Sequence, residues 1–142
     1  MRTQVAIVGG GPSGLLLSQL LMRAGIAPVV LERRPRDYVL SRIRAGVLEP
    51  GTVETLRRAG VGARMNAEGE PHSGVLFGLE NRSFRVDFPS TCGRKVMVYG
   101  QTEVTKDLYA AQDFLGATII DEAEDVAIHD ADGTAPHLTY RK

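Results

Sequence analysis

The sequence predicts an α/β fold built on one β-α-β crossover unit with additional strands. Three observations carry that reading. Val5-Ala6-Ile7-Val8 is a short apolar run that ends in glycine, suited to a parallel-sheet strand buried on both faces. Leu17, Leu20, Leu21 and Ala24 recur at helical spacing, as one face of a helix, and Gly25 stands at the expected stop. Pro28 to Leu31 is a second apolar run, capped by Glu32, so strand, helix and strand fit within about thirty residues.

The remaining elements follow in order. Residues 33–50 carry Arg33, Arg34, Arg36, Arg42 and Arg44 against Asp37 and few apolar side chains, which predicts a long surface connection. Gly51 to Gly60 reads as a short helix with Val53 and Leu56 inward, and residues 62–74 are weakly patterned. Val75–Leu79 and Phe84–Phe88 read as strands around a polar turn at Asn81, followed by a strand at Lys95–Tyr99. Gln101 to Leu115 is a second strong helix pattern, with Val104, Leu108, Ala111 and Leu115 in phase, Thr102 as a cap and Gly116 as a stop. Thr118–Ile120, Ala123–Ile128 and Pro136–Tyr140 read as strands, the last two joined at Asp132-Gly133. A sheet stopping at that last strand is expected to leave an edge unpaired and a face uncovered.

Composition narrows the function classes. The chain has 142 residues, 17 basic and 17 acidic side chains, and 43% hydrophobic residues. That length suits one domain with a real core. Zero net charge argues against a nucleic-acid-binding module. The single cysteine, Cys92, forbids an internal disulfide and a cysteine-based zinc site, and fits a reducing compartment. Arg2 precedes an uncharged stretch from Thr3 to Met22, as in a signal peptide. The glycines from Gly9 to Gly14 break it into halves too short for a leader or a membrane span, so a folded, cytoplasmic protein is expected.

The segment with the most chemistry is Gly9-x-Gly11-x-x-Gly14, set between the first strand and the first helix. Gly9 permits the tight turn, Gly11 lets a pyrophosphate approach the backbone, and Gly14 permits close helix–strand packing. The helix start then offers unpaired amides and a partial positive charge to phosphate, with the Ser13 hydroxyl as a further donor. Glu32 lies about 20 residues further on, where a carboxylate accepts hydrogen bonds from ribose hydroxyls and repels a 2′-phosphate. A tightly held FAD or NAD therefore fits better than NADP at this position. The alternative is a glycine-rich turn without a ligand.

The arginines follow Glu32 at the carboxyl end of the second strand, where such sheets bind ligands. Arg42 and Arg44 flank Ile43, and in an extended segment both point the same way, as two guanidinium groups for a pyrophosphate. Ala45-Gly46-Val47 is small enough for a planar ring to lie against the backbone. The alternative is a solvated basic loop, to which Arg33, Arg34 and Arg36 belong equally well.

Several strings together resemble the p-hydroxybenzoate (4-hydroxybenzoate 3-) hydroxylases, a family of class A FAD-dependent aromatic monooxygenases. These are Gly9-Gly-Gly-Pro-Ser-Gly14, Leu31-Glu-Arg33, Asp37-Tyr-Val-Leu40, Arg42-Ile-Arg-Ala-Gly-Val-Leu-Glu49 and Tyr99-Gly-Gln-Thr-Glu-Val-Thr105. The first two are common to many FAD enzymes, whereas the last two are narrower. The resemblance implies a Rossmann-like FAD-binding β-α-β unit, part of an FAD/NAD(P)-binding domain. It implies tightly bound FAD, NADPH as transient reductant, and O2 and 4-hydroxybenzoate as substrates, with 3,4-dihydroxybenzoate as product. It further implies that Ser13, Glu32, Arg42, Ile43, Arg44, Ala45, Gly46, Val47 and Gln101 contact FAD. Arg33 and Tyr38, with Arg42 and Arg44, would lie along the NADPH path.

The family's later Asp-Gly and Gly-Asp motifs and its substrate-binding sheet are not in this sequence. Residues 1–142 are accordingly expected to be the N-terminal part of an FAD-binding domain, without a catalytic residue and inactive alone. For the parent protein a homodimer is open, and neither nucleic acid nor membrane is expected as a partner. Rival readings are an FAD enzyme for another phenol or an amine, a non-catalytic FAD- or NAD-binding module, and a methyltransferase. The last has little use for paired arginines. His72, His129 and His137 read as surface or turn histidines, the acidic run Asp121 to Asp125 as a solvated turn and strand edge, and Cys92 as an inert loop thiol. Tyr99 reads equally as a residue beside the cofactor and as a buried strand tyrosine.

Overall fold

The computed structural model describes residues 1–42 and 44–142. The chain forms two compact units. The first joins the N-terminal stretch to Thr105–Lys142, and the second is Arg44–Val104.

The first unit is built on the expected crossover. β1 (Ala6–Val8), α1 (Pro12–Arg23) and β2 (Val29–Leu31) are followed late in the chain by β8 (Thr118–Ile120). These strands make a parallel sheet of order β1-β2-β8, with Ile7 opposite Val30 and Val30 opposite Ile119. The central strand β2 is buried throughout. β1 departs from the expectation of burial on both faces: Ile7 is buried, while Val8 is 57% exposed. Among the described residues β1 is an edge strand, paired with β2 on one side.

The buried line of α1 also differs from the predicted one. Leu15, Ser18 and Gln19 face inward, whereas Leu17 is 47% exposed and Ala24 lies at the helix end. Two polar residues can occupy the inner face because they are satisfied across it. Ser18 Oγ donates to Gln112 Oε1 at 2.5 Å, and Gln112 Nε2 donates to Gln19 Oε1 at 2.7 Å. Buried polar groups cost little only when paired in this way. Hydropathy alone cannot register such a pairing between residues so far apart in sequence.

Gln112 lies on the helix Gln101–Phe114, here called α6, whose Val104 and Leu108 are buried as predicted. Thr105, Tyr109 and Gln112 are buried with them, and Leu115 is 40% exposed. Because the helix already begins at Gln101, Thr102 lies within its first turn and is not its cap. Gly25 and Gly116 adopt φ of +79° and +66°, the left-handed conformation that ends helices.

β9 (Glu124–His129) and β10 (His137–Arg141) pair antiparallel, as expected. Their connection is organised by Asp130, whose carboxylate accepts from the Ala135 amide at 2.8 Å. Val29, Leu31 and Ala123 form a buried cluster with Ile120, Val126 and Leu138 around them. Burying a valine or leucine side chain such as Val29 or Leu31 is worth roughly 1.5–3 kcal/mol.

The stretch expected as an open connection contains a helix, α2 (Arg36–Ser41), with Pro35 at its N-cap position and no buried residue. It has no apolar period to betray it.

In the second unit, β3 (Val47–Leu48), β7 (Val96–Val98) and β4 (Glu70–His72) form an antiparallel sheet of order β3-β7-β4. α3 (Pro50–Arg58) buries Val53 and Leu56, as predicted. The weakly patterned stretch after it holds α4 (Ala63–Glu68), which buries Met65, and then β4. β5 (Gly74–Leu79) and β6 (Arg82–Asp87) pair as the expected hairpin. A short helix follows, α5 (Phe88–Cys92), where a loop was expected at Cys92. Asp87 caps it by accepting from the Ser90 amide at 2.9 Å, and that bond holds its carboxyl below the ordinary aspartate range. The exposed Cys92 thiol faces the Phe88 carbonyl at 3.3 Å.

Candidate cofactor-binding site

The glycine turn has the backbone geometry that the tight turn and the close helix–strand packing require. Gly9 adopts φ +113°, which a side chain would strain. A Cβ on Gly11 would meet nothing within 4 Å, so the backbone there is open to a ligand. A Cβ on Gly14 would collide with the Gly9 carbonyl oxygen and come within 3.2 Å of Ile7 Cγ2. α1 begins with Pro12, and its ladder opens with the Leu15 amide donating to the Gly11 carbonyl at 2.9 Å. The amides of Ser13 and Gly14 precede that bond and have no intrahelical acceptor. No acidic side chain stands in the first turn. The helix mouth therefore suits an anion.

Glu32 is 9% exposed and faces this turn. Its Oε2 accepts from the Gly10 amide at 2.7 Å, and its Oε1 accepts from the Arg34 amide at 2.9 Å. Each oxygen keeps a further lone pair for another donor. Gly10 was not singled out in the sequence, yet a Cβ there would lie 2.8 Å from Glu32 Cβ. Beside Glu32 opens a cleft of about 320 Å³ lined by Val8, Gly9, Leu31, Arg33, Asp125 and Val126, among others. Its β9 wall was also missed. Asp125 belongs to the acidic run read as a solvated edge, and it is indeed exposed, with Arg141 Nη2 2.8 Å from its Oδ2; its φ of +53° marks it as unusual for a non-glycine residue.

Behind the turn, the Tyr109 hydroxyl approaches the Gly10 carbonyl at 3.4 Å, and burial pushes its phenol up to about 12. Asp121, in contrast, departs from the solvated reading. Its Oδ1 is buried without a hydrogen-bond partner among the described residues, and desolvation raises its carboxyl above the ordinary range.

The second unit brings the two narrower strings together. The Tyr99 amide donates to the Gly46 carbonyl at 2.7 Å, and the Gln101 amide donates to the Ala45 carbonyl at 3.2 Å. Val47 pairs with Val98 in the continuing ladder. A Cβ on Gly46 would stand 3.2 Å from Gly100 Cα, which explains the glycine at this close approach. Tyr99, just past the end of β7, is 5% exposed, and its hydroxyl accepts from Arg64 Nε at 2.9 Å. Arg64 also pairs with Glu103.

A protein-family profile for the FAD-binding domain matches residues 2–142. The chain belongs to the FAD-binding domain family. It is 50% identical over 141 residues to the p-hydroxybenzoate hydroxylase of Acinetobacter baylyi, a match covering 99% of this chain and 35% of that protein. It is 30% identical over 108 residues to pentachlorophenol 4-monooxygenase of Sphingobium chlorophenolicum, across 73% of this chain and 20% of that protein. The crystal structure of PqsL from P. aeruginosa aligns with a TM-score of 0.82 at 19% identity, over 96% of this chain and 38% of that one. That likeness establishes the mixed α/β fold. The chain thus spans little more than a third of the first relative.

Within this FAD-binding family fold, Gly9, Gly11, Ser13, Gly14, Glu32 and Arg33 gather around the turn and the cleft beside it. The open backbone at Gly11, the unengaged first amides of α1 and the spare acceptor capacity of Glu32 fit the diphosphate and ribose of FAD. Tyr38 and Arg42 lie together on α2 and its end, with the Arg42 guanidinium 5.6 Å from the Tyr38 ring centre. Arg44, Ala45, Gly46, Val47 and Gln101 belong to the second unit. Ile43 lies outside the described residues, and with it the link on which the paired orientation of Arg42 and Arg44 rested. Among the described residues no helix is long and apolar enough to cross a membrane.

Proposed function

We propose that this chain is the N-terminal part of the FAD-binding domain of an NADPH-using aromatic monooxygenase, one that converts 4-hydroxybenzoate to 3,4-dihydroxybenzoate. The observation that carries this reading is the 50% identity to a p-hydroxybenzoate hydroxylase across 99% of the chain. The chemistry at the turn supports it. Ser13 and Gly14 would meet the diphosphate at the start of α1, and Glu32 would accept the ribose hydroxyls while excluding a 2′-phosphate. Arg42, Ile43, Arg44, Ala45, Gly46, Val47 and Gln101 keep the FAD contacts that the family resemblance implies. Bound FAD would supply the redox chemistry that couples NADPH oxidation to oxygen activation, and the residues named here would hold it.

The residues of this chain bind and orient; none is assigned a catalytic role. Arg33, Tyr38, Arg42 and Arg44 are the residues proposed to meet transient NADPH, whose 2′-phosphate the Glu32 pocket would reject. The parent protein is read as a cytoplasmic enzyme of small aromatic substrates. The test is to purify the complete gene product and this 142-residue chain and supply both with NADPH, O2 and 4-hydroxybenzoate. Formation of 3,4-dihydroxybenzoate by the complete protein alone is the expected result. Hydroxylation by the 142-residue chain, or a preference of the complete protein for another phenol, would contradict it.

A further inference from the structure

We infer that Arg36 is a positioning residue: it holds the short basic helix α2 against α6, so that the groups around Tyr38 meet the phosphates of a reduced pyridine nucleotide in one pose. The inference rests on the reading of NADPH as hydride donor.

α2 has six residues, no buried side chain and no side-chain cap. A helix so short does not hold its shape in water by itself. Its anchor is Arg36. The guanidinium makes a two-pronged pair with Asp113, Nη1 to Oδ2 and Nη2 to Oδ1, both at 2.7 Å. The same group lies 4.4 Å from the ring centre of Tyr109, which is 2% exposed. Paired carboxylate oxygens and a buried ring under one planar guanidinium fix its direction as well as its place. Tyr109 in turn touches the glycine turn at Gly10. The anchor is thus tied through Tyr109 to the glycine turn.

Val39 and Leu40 of α2 are half-buried, and its Tyr38 face is turned to solvent. Tyr38 is 42% exposed, with the Arg34 guanidinium 5.2 Å and the Arg42 guanidinium 5.6 Å from its ring centre. Guanidinium groups resting on a ring keep their N–H donors available for phosphate oxygens. Such a group binds a phosphate well only if its donors are already in place, because ordering long side chains and a frayed helix costs affinity. Arg36 supplies that order without touching the nucleotide.

The test uses the complete protein loaded with FAD, with NADPH-driven flavin reduction followed by stopped flow. Arg36→Ala is expected to raise the NADPH dissociation constant about fivefold, leaving the limiting reduction rate and FAD affinity unchanged. Asp113→Asn separates position from charge. It adds net positive charge, so simple attraction would tighten NADPH binding, whereas loss of the anchor weakens it. The exchange of partners, Arg36→Asp with Asp113→Arg, is expected to restore binding. Unchanged NADPH affinity in Arg36→Ala would overturn the inference, as would tighter binding in Asp113→Asn. Parallel loss of FAD and NADPH affinity would also overturn it, by assigning Arg36 to the fold alone. A wild-type flavin that NADPH does not reduce would overturn the hydride-donor reading and this inference with it.

Discussion

The Gly10 amide donates to Glu32 Oε2 at 2.7 Å, so the acid at the end of the second strand is tied to the turn that follows the first. One carboxylate thereby sets the shape of the turn and faces the place proposed for the ribose. Both roles rest on its acceptor oxygens, and two substitutions remove them to different extents. Glu32→Ala removes the acceptors for ribose and for the turn. FAD affinity is expected to fall by about ten- to a hundredfold, from the loss of one or two hydrogen bonds to a charged group. Glu32→Gln keeps the shape and loses the charge, and should fall less. Titration of flavin fluorescence measures both.

Gly14 packs where no side chain fits, against the Gly9 carbonyl and Ile7 Cγ2. Gly14→Val is expected to destabilise the first unit by about 1–3 kcal/mol. The urea midpoint of the purified variant against wild type gives the answer.

The second unit offers a parallel case. Gly46 approaches Gly100 Cα, and its carbonyl receives the Tyr99 amide. Gly46→Val should push the two segments apart and cost about 1–3 kcal/mol. Faster amide exchange at Tyr99 and Gln101, with exchange in β1 and β2 unchanged, is the expected pattern.

Asp121 gives a pH signature. Burial raises its folded-state value above the ordinary 3.8. The unfolded chain therefore releases this proton at lower pH than the folded one. Stability from this group is undiminished below the ordinary aspartate value and declines as pH rises from there through the raised folded value. Asp121→Asn removes the penalty. The variant should be more stable than wild type at pH 7, and the gap should close as pH falls toward the ordinary aspartate range. Urea midpoints across that range measure it, and a gap that widened on acidification would contradict the assignment.

The crossover unit was legible because its signals are local: an apolar run, a glycine turn at fixed spacing and an acid at the end of the next strand. Gly9, Gly11 and Gly14 each stand in the mechanical situation their positions implied. The inner face of α1 was not legible, because Ser18 and Gln19 are buried through Gln112, a residue far along the chain. α2 escaped notice because it buries nothing and so has no apolar rhythm. The short α5 had a local signal in the Asp87 cap, the proline that follows and Ser90. At the site, Gly10 was hidden by standing among other glycines. Asp125 is the solvated edge its charge implied, but that it also borders the cleft depends on β9 folding back beside β2, which no local pattern records.

The central claim is that the first helix mouth and Glu32 hold the adenosine diphosphate half of FAD. The most direct measurement is FAD titration of the folded protein, with ADP and its 2′-phosphorylated analogue as competitors. Saturable FAD binding, displaced by ADP and far less by the 2′-phosphorylated analogue, is the predicted result. A folded protein that takes up no flavin, or one displaced equally by both competitors, would contradict it.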